Sequence, residues 1–403
     1  MPPGPDALRL ASLRVAGVAL RGSGYPNATN TLRYLRAAGV RIVDQADWLP
    51  EGLHLWKALR ASPRAKIGLY VRLLSGNALS AWRVVVASRR ERLITYVPYP
   101  AIFLLWWLSW FPKALRPPLV ADAYISIWDA AVRDRGLLGG GRWSDRLLRR
   151  LEARALRVAD IVLVDTTANR EWMIAEFGLA PDAVSAVPLA IDDDALLSLP
   201  LPQPRAPLRV SFIGTLVPLH GIEVLIDAVR HVQQPERIIF RFIGDGQDAA
   251  KVERAMAEGI AGLSWERSWQ DHEAIIAALG ESDVSFGVFG GAAKAARVLP
   301  FKLYLALAAG RAVVTQQDFS LPEGVPTPPF LTPRADPAEI AGRLLALSAD
   351  PDACRAAALA GRSYYQQWLG ARGVLKAWAH LLDGFSGGGG APRALIGTSE
   401  SSR

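Results

Sequence analysis

Three basic residues, Lys294, Arg297 and Lys302, cluster at the start of the run KAARVLPFKLYLALAAGRAVVT, which extends from Lys294 to Thr315. The run reads as a proline-marked basic turn, an alanine-rich helix, Gly310 and a β-branched strand. Free backbone N–H groups and the helix dipole favour anions at a helix start, so cations gathered there suit a phosphate. The competing reading is ordinary solvated charge. A second chemical signal is Asp122, which ends the apolar run LVAD and precedes AYISIWD, closed by Asp129. A carboxylate at a strand end can orient a hydroxyl or act as a base, whereas the structural alternative for either aspartate is a helix cap.

Other chemistries lack their residues. The five histidines, among them His54, His220 and His272, show no metal-ligand spacing, and the single cysteine, Cys354, joins no His-Cys cluster. No metal is therefore expected. Neither a nucleophile elbow nor a P-loop occurs, which removes hydrolase and kinase readings. The glycine loop GSGYPN, containing Gly22 and Gly24, lacks the third glycine of a dinucleotide fingerprint, so nicotinamide binding is not expected.

The elements that would position these residues alternate regularly. Leu8 to Leu20 reads as a first strand, followed by the Gly22 loop and a helix from about Asn27 to Ala38. Short strands are expected at Arg41 to Asp44, Leu93 to Val97, Leu119 to Asp122 and Asp160 to Asp165, with an arginine-rich helix from Ser144 to Val158 before the last. ALLSLPLPQPRAP, from Ala195 to Pro207, carries four prolines and reads as a linker. A second series then begins: strands at Leu208 to Ile213, Arg237 to Ile243, Asp283 to Phe289 and Ala312 to Thr315, with a helix at Ile222 to Val232. Such alternation implies parallel sheets covered by helices, with ligands at the carboxyl ends of the strands. The expected domains are 1–194, a linker 195–207, 208–350, a helical segment 351–384 interrupted near Gly361 and Gly370, and a flexible tail 385–403.

Composition agrees. At roughly 150 residues per domain, 403 residues make two domains. Hydrophobic residues at 51% and charged residues at 21% describe a globular chain. The mean hydropathy of +0.16 suggests that some apolar surface meets something other than water. One cysteine cannot form an intramolecular disulfide, and MPPGPDALRL is a poor secretion signal, so a cytoplasmic location is expected. The net charge of +8 is concentrated in stretches mixed with long apolar side chains, such as RVVVASRRER from Arg83 to Arg92. No nucleic-acid-binding signature accompanies it, which favours a membrane surface over nucleic acid. The apolar run Tyr99 to Phe111, YPAIFLLWWLSWF, is too short to span a bilayer but is closed by Pro112, Lys113 and Arg116. Tryptophan beside basic residues suits a bilayer interface, and peripheral membrane contact through this run, aided by Lys66 to Arg92, is expected.

GTLVPLHGIEVLIDA (Gly214 to Ala228), FRFIGDGQ (Phe240 to Gln247) and the Lys294 to Thr315 unit, in this order and spacing, resemble the C-terminal domain of family 4 glycosyltransferases. GSGYPNATN and EARALRVADIVLVDT (Glu152 to Thr166) are similar to the N-terminal half. The resemblance implies the GT-B fold, two Rossmann-like doubly wound α/β domains facing a central cleft. It also implies a nucleotide-sugar donor on the C-terminal domain and an acceptor, lipid-linked or a cell-surface polysaccharide, on the N-terminal one. Gly22, Gly24, Gly214, Thr215, His220 and Gly221 would then cradle phosphate and sugar, Gly244 and Gly246 would lie beside the nucleoside, and Lys294, Arg297 and Lys302 would neutralise the diphosphate leaving group. Asp122 would serve the acceptor.

The sequence departs from the family pattern at the donor site. Thr215 and His220 stand where an arginine and a lysine commonly contact the diphosphate, leaving a hydroxyl and one imidazole donor. Arg297 and Leu305 occupy the positions of two glutamates, the second of which binds the ribose. Losing that charge-assisted hydrogen bond is worth about 1.5–3 kcal/mol. A non-catalytic GT-B-fold binding or scaffold subunit is the alternative. A sugar-nucleotide epimerase would need an acidic or histidine pair that is not evident.

Overall fold

The computed structural model describes residues 8, 11–22, 25–53, 63–134, 142–268, 271–291 and 293–386. The chain divides into two compact units, one of Met1–Ala190, Pro322–Gly324 and Val374–Arg403, the other of Ile191–Leu321 and Val325–Gly373.

In the first unit the strands are β1 (Ser12–Val15), β2 (Val18–Ala19), β3 (Arg41–Asp44), β4 (Asp47–Trp48), β5 (Ile94–Val97), β6 (Leu119–Asp122), β7 (Ile161–Val164) and β8 (Val184–Ala186). Six form a sheet in the order β3-β1-β5-β6-β7-β8, every pairing parallel, while β2 and β4 pair separately. Strands such as IVLV of β7 are buried throughout, as a parallel sheet covered on both faces requires. The expected single strand over Leu8 to Leu20 is instead β1 and β2. Gly17, at φ +107, breaks it, and β2 turns aside to pair with β4.

The crossover helices are α1 (Pro26–Ala37), α2 (Pro63–Ser88), α3 (Ile102–Leu108), α4 (Arg142–Leu156) and α5 (Thr167–Phe177). Thr166 caps α5 by accepting from the Asn169 N–H at 3.1 Å, and Gly178 ends it at φ +61. The run Tyr99 to Phe111, read above as a membrane contact, supplies α3. Ala101, Leu104, Leu105 and Leu108 belong to the core, and Ile102, Trp106, Trp107 and Phe111 pack partly buried against it. A crossover between neighbouring parallel strands must lie on the sheet, and that turns this run inward. Trp110 alone of the three tryptophans is left exposed.

The second unit begins with α6 (Asp194–Ser198), a short helix inside the expected linker whose Leu196 is fully buried. Arg362 donates to the Leu199 carbonyl at 2.8 Å and Arg311 to that of Pro200, so the start of the proline-rich stretch is tied to this unit. Its strands are β9 (Leu208–Ile213), β10 (Ile238–Ile243), β11 (Leu263–Glu266), β12 (Val284–Phe286) and β13 (Ala312–Val314), all parallel in the order β11-β10-β9-β12-β13. The strand order reverses at β9, and that switch point opens between the carboxyl ends of β9 and β12.

Its helices are α7 (Ile222–Val232), α8 (Ala249–Ala257), α9 (His272–Gly280), α10 (Ala293–Arg297), α11 (Phe301–Ala308), α12 (Pro337–Ala349), α13 (Pro351–Tyr364) and α14 (Ala371–Ser386), the last entering the first unit from Val374. Ile222, Leu225, Ile226, Val229 and Val232 recur at helical spacing and bury α7 on the core, where it also packs against α12. Gly361 does not interrupt the C-terminal segment. It lies inside α13, where an added Cβ would come 3.0 Å from Leu307. The break falls at Gly370, after a π-helical turn over Tyr365–Leu369. The tail expected at 385–403 lies, from 387 onward, outside the described residues.

Candidate functional site

The loops after β9 and β10 carry the glycines singled out from the sequence. Gly214 follows β9 at φ +148, a conformation open to glycine, and its missing side chain makes room for Lys302: a Cβ there would stand 3.3 Å from Cε and 3.4 Å from Nζ. Lys302 arises from the first turn of α11. As a whole residue it is only partly buried, but its Nζ is closed off from solvent and has no hydrogen-bond partner among the described residues. The ammonium sits 3.7 Å from the centroid of the Phe212 ring. That aromatic face offsets some of the desolvation, but burial still holds the Lys302 pKa well below the usual lysine range. A desolvated cation beside a glycine turn, with no anionic partner among the described residues, has the chemistry to receive an anion.

His220 lies at the other end of the loop. It is buried, packs edge-on against Phe212 with centroids 5.6 Å apart, and brings Nδ1 within 2.5 Å of the Thr215 carbonyl. A carbonyl only accepts, so Nδ1 carries the proton, and a neutral ring then leaves Nε2 as an acceptor. Burial, reinforced by the charge of Lys302, holds its pKa well below the ordinary value. The imidazole N–H expected to face a diphosphate is thus spent on Thr215, and His220 acts as a brace for the turn. Thr215 itself is half-buried.

The remaining glycines of this group answer to backbone packing. A Cβ on Gly221 would lie 2.3 Å from the Phe289 carbonyl, one on Gly244 2.0 Å from the Gly214 oxygen, and one on Gly246 2.3 Å from the Leu216 oxygen. The close approach expected toward a ligand is made instead to neighbouring loops, which lock the two turns together. Lys294 and Arg297, both half-buried, belong to the five-residue α10, and α10 contacts the 3-10 turn Pro218–His220. The sequence-predicted donor residues of this unit therefore gather at the carboxyl ends of β9 and β10, with Lys302 innermost. Leu305, in the following turn of α11, is buried and presents no acceptor.

The first unit holds Asp122 at the end of β6. It is 1% exposed and accepts from the Tyr25 hydroxyl at 2.6 Å, the Tyr96 hydroxyl at 2.9 Å and the Asn27 amide at 3.3 Å. Burial raises its pKa to about 6 against the lowering effect of these bonds. The role of an open general base does not match this environment: the carboxylate is enclosed and its lone pairs are engaged. Asn27 also accepts from the Ala190 N–H at 2.7 Å, so Asp122 anchors the loop that begins α1. Gly22 is in that loop at φ +62, and Gly24 lies outside the described residues. Tyr25, Asn27 and Tyr96 were not singled out from the sequence, although the first two stand in GSGYPNATN. Glu152 is a second buried carboxylate. It accepts from the Ile127 N–H at 2.9 Å, the Trp128 N–H at 2.7 Å and the Ser126 hydroxyl at 3.1 Å, and burial raises its pKa to about 7.

Residues 207–350 match the family model described as glycosyl transferases, group 1. Anabaena Alr3699/HepE in complex with UDP superimposes with a TM-score of 0.61 at 14% identity, covering 93% of this chain and 100% of that one. The architecture is that of the GT-B glycosyltransferases. Sucrose-phosphate synthase (tll1590) from Thermosynechococcus elongatus gives a TM-score of 0.62 at 14% identity over 93% of this chain and 99% of that one. WaaG, a glycosyltransferase involved in lipopolysaccharide biosynthesis, gives 0.56 at 14% identity over 94% and 100%. No curated protein sequence matches significantly. At identities this low the superpositions show the GT-B fold alone and leave the activity to be argued from the site.

Proposed function

We propose that this protein is a nucleotide-sugar-dependent glycosyltransferase, transferring a hexosyl group to a lipid-linked or cell-surface polysaccharide acceptor. The observation that carries the reading is the unpartnered Nζ of Lys302 against Gly214. A diphosphate bound at the Gly214–Thr215 turn would supply the missing anion. Breaking the glycosidic phosphate bond places further charge on the leaving diphosphate, and a preorganised cation in a site of low dielectric stabilises that charge without reorganisation. Lys294 and Arg297, carried by α10, add positive potential around the loop. The match of residues 207–350 to group 1 glycosyl transferases supports the donor class. The UDP and UDP-glucose bound to HepE agree with it, and the pathway of WaaG motivates the acceptor class.

Asp122 serves this reaction by holding the Gly22 loop rather than by taking a proton. The enzyme works in the cytoplasm, peripheral to the inner membrane face, and no metal takes part in its chemistry. Among the described residues no helix is long and apolar enough to cross a membrane.

Leu305 favours a second reading, a binding or scaffold subunit, because a buried leucine leaves the ribose without a carboxylate. Calorimetric titration with UDP-, GDP- and ADP-sugars separates the two. Binding of one donor class, with glycosyl transfer abolished by Lys302→Ala, is expected for the enzyme. Silence toward the whole panel would replace it with the scaffold.

A further inference from the structure

Helix α2 buries one side through Leu73, Asn77, Ala81, Val84 and Val85, with Asn77 accepting from the Val18 N–H at 3.0 Å. Its opposite side is apolar too. Ile67, Val71, Leu74 and Trp82 recur at helical spacing and are 62%, 57%, 47% and 60% exposed. From Pro63 to Ser88 there is no acidic residue, while Arg83, Arg89, Arg90 and Arg92 are exposed along and just beyond its C-terminal half. The apolar surface continues across the neighbouring helices: α3 packs on both α2 and α4, and the Trp107 indole donates to the Leu74 carbonyl at 3.0 Å. Trp110 is exposed beyond α3 with the Arg154 guanidinium 4.2 Å from its ring centroid, and Trp143 is exposed on α4.

Beside α2 runs an open groove of about 610 Å³ lined by Arg14, Gln45, Trp82, Arg83 and Arg90, among others. Arg14 is 3% exposed, and its Nε has no hydrogen-bond partner among the described residues. Its other nitrogens reach Ser88 Oγ at 3.5 Å and the Glu91 carbonyl at 3.3 Å. Glu91, the one acid among the described residues lining the groove, lies 3.9 Å from Arg41. Three guanidinium groups, one with an orphaned buried N–H, thus adjoin an apolar helix face rich in tryptophan.

We propose that the outer face of α2 and this arginine groove form a docking surface for an anionic bilayer, the face entering the interface and the groove taking a lipid phosphate. Tryptophan and arginine side by side are the combination that an interface accommodates, and each basic residue gains from a negative leaflet. A second copy of the chain is a poorer occupant: a twofold contact through this face would bring two sets of its cations into one interface, with no acid on α2 to relieve them. The proposal deepens the peripheral membrane reading and moves it from Tyr99–Phe111 to α2. It stands independently of the sugar-donor site.

Co-sedimentation of the full chain with phosphatidylcholine vesicles, and with vesicles of phosphatidylcholine and phosphatidylglycerol at three to one, tests it. The protein should pellet with the anionic vesicles at low salt, remain in the supernatant with the neutral ones, and be released as salt rises. Arg83→Gln with Arg90→Gln should weaken partitioning about 30-fold, and Val71→Ser with Trp82→Ser should release the protein. These side chains are exposed, so melting temperatures should stay at the wild-type value. Equal binding to both vesicle types, or none, overturns the proposal. Self-association lost in the Val71/Trp82 variant, without vesicle binding, assigns the face to a second copy and overturns it as well. Pelleting by a protein that binds no nucleotide sugar leaves the surface standing and removes only the donor reading.

Discussion

Replacing Lys302 by methionine separates the two consequences of burying its ammonium. The methionine stem fills nearly the same volume against Phe212, so packing is conserved while the charge and its donors disappear. The lost cation–π contact, with Nζ 3.7 Å from the ring centroid, costs about 2 kcal/mol when desolvated. Against this, a buried ammonium without a partner carries a penalty of several kcal/mol, and even the neutral amine leaves its polar group unsatisfied at about 1–3 kcal/mol. The balance favours methionine by roughly 1–3 kcal/mol, which for a unit of this size raises the melting temperature by about 2–4 °C per kcal/mol. Binding of UDP, or of whichever nucleoside diphosphate the site takes, moves the other way. Losing one charge-assisted contact to the diphosphate lowers affinity roughly 10- to 150-fold.

The pH dependence supplies an internal control. Because burial holds the Lys302 pKa below the unfolded value of 10.5, the unfolded chain binds the extra proton between the two values. Stability from this group therefore rises with pH through that window, and the methionine variant should lack the slope. Thermal melts across pH, with calorimetric titration of the nucleotide, read both effects. A methionine variant that melts lower than wild type and binds nucleotide equally well would refute the placement of an unpartnered cation at the donor turn.

Glu152 and Asp122 have the opposite sign. Their pKa values rise on folding, from 4.5 to about 7 and from 3.8 to about 6, so the stability linked to their protons is complete below pH 4 and is lost as pH climbs through the folded values. For Glu152 the displacement amounts to on the order of 3 kcal/mol. The stability of wild type relative to Glu152→Gln should fall by about that much from pH 4 to pH 8 in urea titrations; a constant difference would show that the carboxylate is not desolvated. Gly221→Ala places a Cβ 2.3 Å from the Phe289 backbone at φ +65, whereas Gly259→Ala, at φ +70, meets nothing within 4 Å. The second should cost about 1–2 kcal/mol, the left-handed backbone term alone, and the first markedly more. Equal losses would mean that the Phe289 loop moves aside.

Much of the architecture was legible because local sequence carries it. Runs such as LRVSFI and IVLV are apolar enough to be buried on both faces, and the helix over Ile222 to Val232 repeats its apolar residues at helical spacing. β2 was merged with β1 in one expected strand, and β4, β8 and β11 escaped because DW, VSA and LSWE hold no two consecutive apolar residues. Within the candidate site, the loop over Gly214–Gly221 was visible from its glycines and the cations from their clustering. Their hierarchy was not visible. Lys302, Arg297 and Lys294 look alike in sequence, and only the packing of α11 drives one ammonium under Gly214 onto Phe212.

The sequence by itself determined the alternation of strands and helices, the positions of the turns and the apolar stretches, because these depend on residues near one another in the chain. The tertiary structure decided which apolar surface turns inward. Tyr99–Phe111 is the more apolar of the two stretches, yet it is enclosed by the sheet it crosses while α2 keeps an exposed apolar face. It also decided that His220 spends its N–H on Thr215 and that Asp122 is enclosed by Tyr25, Tyr96 and Asn27. Burial and hydrogen bonding are set by which segments the sheet order brings together, and that order joins residues distant in the chain, where periodicity carries no information.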